Sequence, residues 1–201
     1  MSLSSKLLES AVEQFMQLPG VGKRTALRYV LFLLKQDSTR LVSFGEILSR
    51  LSSDIRYCNT CFNISDHAIC EICANEFRDQ HTICVVEDIR DVMAIEETQQ
   101  YRGVYHVLGG LISPMDGIGP TDLNIKSLEE RVQQNEIKEV FFALTGTMEG
   151  ETTVFYVHKK IKNHVANVTT IARGVAFGGD LEYADEFTLG RSIVTRMPYE
   201  K

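Results

Sequence analysis

The sequence predicts a multi-module α/β protein, and three observations support that prediction. Apolar residues recur at helical spacing in the N-terminal part, two Cys-x-x-Cys pairs follow, and short apolar runs alternate with helical patterns from residue 82 onward. Strands separated by helices of this length indicate crossover connections and a mainly parallel sheet. The chain therefore combines a helical module, a small cysteine module and an α/β sheet.

Composition and charge limit the classes of function. The 201 residues are 44% hydrophobic and 24% charged, which is typical of a folded protein rather than a disordered or fibrous one. No apolar run is long enough to span a bilayer and no signal-peptide pattern opens the chain, so we expect a cytoplasmic protein. Residues 1–57 carry a net charge of +3 and the remainder −9. This asymmetry favours a polyanion as the partner of residues 1–57 and a protein or a metal as the partner of the remaining residues.

The N-terminal part predicts three amphipathic helices. Their apolar positions are Leu8, Val12, Phe15 and Met16 in the first, Ala26, Val30, Leu33 and Leu34 in the second, and Phe44, Ile47, Leu48 and Leu51 in the third. We expect these helices to form one three-helix unit, with a glycine-containing hairpin between the first two.

The hairpin places two glycines before a basic helix start. Gly20 and Gly22 lack a Cβ, so the backbone can approach a ligand closely, and the N–H groups that open the second helix point outward. Lys23, Arg24 and Arg28 surround that point with positive charge. Backbone donors combined with Lys and Arg bind phosphate without reading bases, which predicts contact with a nucleic-acid backbone. A tight turn with solvated cations is the plainer alternative.

A nucleotide-binding P-loop is not predicted at this hairpin. The pattern G-x-x-x-x-G-K-[ST] requires glycine and Ser/Thr at positions where the chain has Gln17 and Arg24. The segment instead resembles a helix-hairpin-helix of the L-P-G-x-G type, which grips nucleic-acid backbone without reading sequence.

Four cysteines are spaced as a metal site. They form two Cys-x-x-Cys pairs separated by eight residues, and two such knuckles supply the tetrahedral thiolate shell that Zn²⁺ prefers. The predicted ligands are Cys58, Cys61, Cys70 and Cys73. Disulfides are the alternative, although a reducing compartment disfavours them. Because four thiolates leave no open coordination position, we expect one structural zinc per chain, with His67 at the surface and Cys84 as a buried core thiol.

The second half predicts four strands alternating with three helices. The strands are Thr82–Val86, Val104–Leu108, Val140–Thr145 and Val168–Ala172, and the helices are Asp91–Thr98, Lys126–Asn135 and Glu151–Asn163. Ligands of such sheets bind beyond the carboxyl ends of the strands, so the residues that follow each strand are the candidate functional residues.

Acidic residues follow two of these strands. Glu87 ends the first strand with Asp88 beside it, and Glu149 and Glu151 follow the third strand. Carboxylates at one edge can hold Mg²⁺ and leave coordination positions for phosphate. Alternatively, Glu149 and Glu151 complement the N-terminal dipole of the next helix. The arrangement resembles a Toprim domain, although catalytic members typically carry Asp-x-Asp where this chain has Glu-Gly-Glu.

Motifs along the whole chain carry a wider resemblance. They read L-P-G-V-G-K-R-T-A-L-R-Y at 18–29, two C-x-x-C knuckles at 58–73, V-V-E-D-I-R-D-V at 85–92, Y-R-G-V-Y-H-V-L-G-G at 101–110, S-P-M-D-G-I-G-P at 113–120 and G-G-D-L-E-Y-A-D-E at 178–186. In this order they resemble the RecR family of bacterial recombination proteins.

The resemblance implies a division into modules and a function. The modules are a helix-hairpin-helix at 1–54, a four-cysteine zinc finger at 55–77, a Toprim domain at 78–175 and a C-terminal Walker-B-like segment with protomer contacts at 176–201. Family members form ring-like homo-oligomers that can surround DNA, and they act with RecO and RecF to load RecA at single-stranded gaps. They are not known as enzymes, and the Toprim acids, here Glu87, Glu149 and Glu151, are implied to contact partners, notably RecO.

Two features qualify this resemblance. The family usually reads N-P-T-x-E-G-E-A-T where this chain reads T-G-T-M-E-G-E-T-T at 145–153, which changes the rigidity of the loop before the acids. The C-terminal acids Asp180, Glu182 and Asp185 have no accompanying P-loop, so we interpret them as helix caps and protomer contacts rather than as an ATPase site.

The sequence as a whole therefore predicts a non-catalytic, DNA-binding mediator of recombinational repair. Two other classes of function stay open. One is a Mg²⁺-dependent phosphotransfer or nuclease enzyme that uses Glu87, Glu149 and Glu151. The other is a zinc-stabilised protein adaptor that does not touch nucleic acid.

Overall fold

The computed structural model describes residues 5–172, 174–175, 178, 180–196 and 198, and the chain divides into two compact units after Ile55. Within the described residues, no helix combines the length and the apolar character that a membrane span requires. Residues 176, 177, 179, 197 and 199–201 of the predicted C-terminal segment lie outside the described residues.

The first unit contains three helices, α1 (Lys6–Met16), α2 (Lys23–Leu33) and α3 (Ser38–Asp54). Val12, Ala26 and Val30 of the predicted apolar faces are buried between α1 and α2, whereas Met16 and Leu34 at the ends of these faces are exposed. The first two helices and the hairpin between them therefore form as the periodicity predicts.

The third helix belongs to the same compact unit as the first two, as predicted. α3 forms, but its apolar face is exposed, with Phe44, Ile47, Leu48 and Leu51 between 41% and 58% exposed. No described side chain of α3 is buried. Helical periodicity identifies an apolar face but does not specify what covers it.

The second unit begins with a small cysteine module. Two short strands, β1 (Arg56–Tyr57) and β2 (Ile64–Ser65), pair antiparallel, and a single helical turn, α4 (Glu71–Ala74), follows. The first Cys-x-x-Cys pair lies between the two strands and the second lies at the start of α4.

The remainder of the second unit is built on a parallel sheet. Its strands are β3 (Asp79–Val86), β4 (Gly103–Val107), β5 (Glu139–Phe142) and β6 (Asn167–Thr170). They lie in the order β4-β3-β5-β6, and every neighbouring pair is parallel. This confirms the predicted mainly parallel sheet and places the residues that follow β3, β4 and β5 at one edge.

Helices connect the strands. They are α5 (Ile89–Glu97), α6 (Ile125–Gln134), α7 (Met148–Ile161) and, beyond the last strand, α8 (Glu186–Val194), with single 3₁₀ turns at Pro114–Asp116 and Leu181–Tyr183. Asp185 caps α8 by accepting the Thr188 N–H at 2.9 Å, as the helix-capping interpretation predicts.

The sheet is buried on both faces. Ile83 and Val85 of β3 join a core with buried residues of α6 and α7, while Cys84 and Val86 join a second core with Val92 of α5. Period-2 alternation sends successive side chains of β3 to opposite faces, so its apolar run is continuous. Cys84 is fully buried as predicted, and burial raises the pKa of its thiol to about 12.

Candidate metal centre and nucleic-acid interface

The four predicted zinc ligands converge in the structure. The Sγ atoms of Cys58, Cys61, Cys70 and Cys73 all lie within 4.8 Å of one another, and the first three residues are buried. All five cysteines of the chain are free thiols, so the disulfide alternative is not realised. His67 is exposed in the loop between the knuckles, at the surface as predicted.

The local backbone supports thiolates at this cluster. The Cys70 N–H points at Cys58 Sγ at 3.3 Å, and the Cys73 N–H points at Cys70 Sγ at 3.4 Å. Amide donors of this kind stabilise the deprotonated form of a thiol. Each knuckle also closes on itself, since the Phe62 N–H donates to Cys58 O and the Ala74 N–H donates to Cys70 O, both at 2.9 Å.

The electrostatics of the cluster favour a bound cation. Hydrogen bonding from Cys61 lowers the pKa of Cys70 to about 2. The same contact, together with the Cys73 contact and burial, raises the pKa of Cys61. The thiols thus cannot all ionise without compensation, and a divalent cation supplies it. A soft, four-thiolate donor set with this spacing fits Zn²⁺.

The hairpin between α1 and α2 has an open surface. Gly20 has a φ of +76°, a conformation that favours glycine, and a Cβ added at Gly20 or Gly22 would meet nothing within 4 Å. Gly22 is the N-cap of α2 and provides no side-chain hydrogen bond to the first turn. The N–H groups that open α2 therefore receive no side-chain cap from the N-cap residue.

The predicted cations lie in the first half of α2. Lys23, Arg24 and Arg28 are exposed, and in the described part of the chain none of them pairs with a carboxylate. The Arg28 guanidinium carbon lies 5.6 Å from the centroid of the Tyr29 ring, within the range of a cation–π contact. Lys23 and Arg24 thus lie in the first turn of α2, and Arg28 lies one turn further along the same helix.

The acidic residues after β3 are engaged locally. Asp91 accepts the backbone N–H groups of Glu87 and Asp88, both at 3.1 Å, and Asp88 caps α5 by accepting the Arg90 N–H at 2.7 Å. Burial, followed by the nearby Asp91 and Asp88 carboxylates, raises the pKa of Glu87. The spacing Asp88-x-x-Asp91, which is a capping-box pattern, could have identified this arrangement from sequence.

The acids after β5 lie in a helix and not in the preceding loop. α7 begins at Met148, three residues before the predicted start, and Thr147 caps it by accepting the Gly150 N–H at 3.1 Å. Glu149 and Glu151 consequently occupy the first turn, where carboxylates complement the helix dipole. Gly150 packs against the backbone, since an added Cβ would lie 2.0 Å from Thr145 O.

The three Toprim-like glutamates do not converge as the cysteines do. Apart from the four cysteines, no group of three or more described His, Cys, Asp or Glu side chains brings its ligand atoms within 4.8 Å. Glu87, Glu149 and Glu151 lie beyond the carboxyl ends of adjacent strands, but they form no three-carboxylate cluster. The predicted magnesium contact stays a prediction.

Family models match the four modules in the predicted order. A RecR helix-hairpin-helix model matches residues 8–51, a RecR four-cysteine zinc-finger model 55–75, a Toprim-domain model 81–172 and a RecR C-terminal model 174–197. Both candidate sites, the hairpin and the cysteine cluster, fall inside the models that describe such modules.

Similar proteins extend over the whole chain. The recombination protein RecR of Flavobacterium johnsoniae is 57% identical over 201 residues, which are 100% of this chain and 98% of that protein. The RecR of Bacteroides thetaiotaomicron is 57% identical over 192 residues, covering 96% and 94%. The RecR of Cytophaga hutchinsonii is 56% identical over 201 residues, covering 100% and 98%. With this identity over nearly the full length, the chain belongs to the RecR family of recombination proteins.

Proposed function

We propose that the chain is a DNA-binding mediator of recombinational repair. The observation that carries this proposal is the first half of α2, where the N-cap provides no side-chain hydrogen bond and where three exposed cations have no carboxylate partner among the described residues. Backbone N–H groups and Lys/Arg side chains bind phosphate oxygens and carry no base information. We therefore expect affinity for DNA that is independent of sequence and steeply dependent on salt.

An overall acidic chain needs a way to bind a polyanion. The net charge is −6, yet residues 1–57 carry +3. Assembly into a ring-like homo-oligomer, a dimer or tetramer, would gather several basic hairpins and raise the local positive potential. This arrangement supports DNA binding by a chain whose total charge opposes it.

The proposed role of zinc is structural. Cys58, Cys61, Cys70 and Cys73 supply a full tetrahedral shell, so a bound ion has no position for water or substrate. Zn²⁺ bound there would neutralise the thiolates and fix the two knuckles. Mg²⁺ has no comparable site in the described residues, and no step of the proposed function requires it.

The proposed protein partners are RecO and RecF, with which the chain would promote RecA loading. Glu87, Glu149 and Glu151 are the proposed contacts for RecO, and Glu149 is exposed on the first turn of α7. Glu149→Ala is expected to weaken co-purification with RecO, while the exposed Glu97→Ala serves as a control on another helix. Unchanged RecO recovery with Glu149→Ala would remove this residue from the interface. The proposed role is non-catalytic and cytoplasmic.

The hairpin site is tested by DNA binding across a salt series. Lys23→Ala combined with Arg24→Ala is compared with Lys35→Ala combined with Arg40→Ala, which removes two cations elsewhere in the same unit. Each lost phosphate contact lowers the slope of log K against log salt by about 0.9 for duplex DNA. Fluorescence anisotropy with a labelled duplex and a labelled single strand measures both slopes.

The two double variants distinguish a specific effect of the hairpin cations on DNA binding from an effect of total charge. A lower slope for the Lys23/Arg24 variant alone supports the hairpin site. Equal slopes for both variants would show that only the total charge matters, and no binding by the unmodified protein at low salt would favour an adaptor that does not touch DNA.

A further inference from the structure

The cysteine module is hydrogen-bonded to the edge of the sheet. β4 is an outer strand, and the Val107 N–H of this strand donates to the carbonyl oxygen of Cys61 at 2.8 Å. The backbone carbonyl of Cys61, a proposed zinc ligand, thus accepts a hydrogen bond from an N–H group of the edge strand that would otherwise be unpaired.

Phe62, the residue after this ligand, has an unfavourable backbone. Its φ is +63°, in the left-handed region that non-glycine residues rarely occupy. Its ring packs edge-on against the fully buried His106 of β4, with centroids 5.4 Å apart, and joins the core of Cys84 and Tyr105. Packing against the sheet therefore holds the knuckle in a conformation that the local sequence does not favour.

Arg131 forms a second link between the module and the sheet. This residue lies in the last turn of α6, and its Nη1 donates to Tyr105 O at 2.8 Å and to Thr60 O at 3.4 Å. Thr60 lies between the ligands Cys58 and Cys61. One partly buried guanidinium therefore joins the first knuckle, strand β4 and helix α6.

The end of β4 is tied in turn to the loop that follows it. Asn124, at the start of α6, donates its side-chain amide to Val107 O at 3.0 Å and its N–H to Leu108 O at 2.9 Å. The His106 Nε2–H donates to Asn124 O at 2.8 Å. These bonds close the loop 108–124, which lies at the carboxyl edge of the sheet.

This loop also reaches α7. The Ile112 N–H donates to Thr153 Oγ1 at 2.9 Å, and that hydroxyl donates to Glu149 O at 2.7 Å. Hydrogen bonds, together with the backbone of the loop, thus connect the first cysteine knuckle through β4 to the first turn of α7.

We propose that Arg131 is a positioning residue of the metal centre, and that it and the Val107 N–H couple zinc occupancy to the order of β4 and loop 108–124. The inference rests on the proposed zinc site. Metal bound at Cys58 and Cys61 fixes the carbonyls of Thr60 and Cys61 that these donors bind. Loss of the metal frees those carbonyls and loosens the edge strand. Because coupling between two sites is reciprocal, loss of the Arg131 contacts weakens zinc retention.

Hydrogen exchange on the full chain tests the first half of this proposal. Zinc content is first measured, and exchange is then compared before and after removal of the metal with a chelator. We expect faster exchange at residues 55–75 and also at 103–124, with no change at residues 26–34 of the first unit. The chelated unmodified protein tests the coupling even if a variant fails to fold.

Zinc release tests the second half. Arg131→Met keeps much of the apolar stem but loses the donors, and Lys126→Met removes a largely exposed cation from the same helix. Loss of a partner outside the ligand shell weakens metal binding by about tenfold or more, so Arg131→Met should release zinc to a chromogenic chelator about tenfold faster than Lys126→Met.

The outcomes separate this proposal from the zinc assignment itself. A chain purified without zinc that also fails to bind added Zn²⁺ would overturn both. One zinc per chain with chelator effects confined to 55–75 would overturn the coupling and leave the zinc site intact. Equal release rates for the two methionine variants would exclude Arg131 as a positioning residue.

Discussion

Arg78, directly before β3, and Glu96, in the last turn of α5, form an ion pair with two hydrogen bonds. Arg78 Nη1 lies 2.9 Å from Glu96 Oε1, and the Arg78 Nη2 atom contacts the second carboxylate oxygen. The Tyr105 hydroxyl donates to Glu96 Oε1 at 2.6 Å. Burial alone would raise the pKa of Glu96, but the hydrogen bonds from Arg78 and Tyr105 outweigh it and hold that pKa below its ordinary value.

Breaking this ion pair should lower the stability of the folded chain. The two side chains are 15% and 29% exposed, and Arg78→Met removes the guanidinium bonds to Glu96 and to the Tyr101 and Gly103 carbonyls. Glu96 then keeps only the hydrogen bond from the Tyr105 hydroxyl, and we expect the free energy of unfolding to fall by about 2–3 kcal/mol. Lys126→Met, which breaks an exposed pair with Glu130, should change it by no more than about 0.5–1 kcal/mol. Urea unfolding followed by circular dichroism measures both, and equal losses would contradict the expectation.

Gly150 should not tolerate a side chain. A Cβ there would lie 2.0 Å from the backbone oxygen of Thr145, which cannot move without displacing the start of α7. Gly150→Ala is expected to lower the free energy of unfolding by about 1–3 kcal/mol. Gly190→Ala is the matched control, because that helical position has nothing within 4 Å and alanine should be neutral or stabilise by up to about 1 kcal/mol. A neutral Gly150→Ala would contradict the close approach.

His106 should make the fold sensitive to acid. Burial lowers the pKa of this imidazole to about 4, against an ordinary value near 6.5, and the charge of Arg131 acts in the same direction. Between these two values the unfolded chain binds more protons than the folded chain, so stability falls as pH falls through that window. The full loss approaches about 3 kcal/mol near pH 4.

A variant isolates this contribution from other groups. His106→Gln removes the titrating imidazole while other titrating groups, including the cysteines, remain. The difference between the two stability-against-pH curves should therefore change between about pH 6.5 and pH 4 and stay constant above it. Parallel curves across this interval would show that the folded-state pKa of His106 is not lowered.

Loss of one cysteine ligand should release the metal. Cys58→Ser is expected to abolish stoichiometric zinc and to increase proteolysis at residues 55–77, because three thiolates no longer complete the shell. Cys84→Ser is the control, since it places a hydroxyl in the core and destabilises the fold without touching the cluster. Metal analysis of both purified variants decides the matter, and one zinc retained by Cys58→Ser would refute the ligand assignment.

The sequence predicted the features that depend on local pattern. Short apolar runs that are separated by helical segments identified the four parallel strands. The Cys-x-x-Cys spacing identified four residues that the fold brings together. The glycines and cations of the hairpin were likewise visible, because the turn and the helix start are contiguous in the chain.

Features that depend on distant contacts were not predictable from pattern. The exposed face of α3 has the same periodicity as the packed faces of α1 and α2. The distances between Glu87 and the α7 acids depend on the path of the loop after β5, where Thr147 rather than a glutamate caps the helix. Arg131 and His106 carry no local signal, since their partners lie far away in sequence.

The left-handed backbone of Phe62 has a consequence for the order of folding. All four proposed ligand cysteines lie between residues 58 and 73, so zinc can be captured as soon as this stretch leaves the ribosome. The aromatic partner of Phe62 in β4 is synthesised 44 residues later, and Arg131 follows Thr60 by 71 residues. Metal capture can therefore precede the contacts that hold Phe62 in its left-handed conformation, and the knuckle formed first becomes the surface on which the edge strand of the sheet assembles.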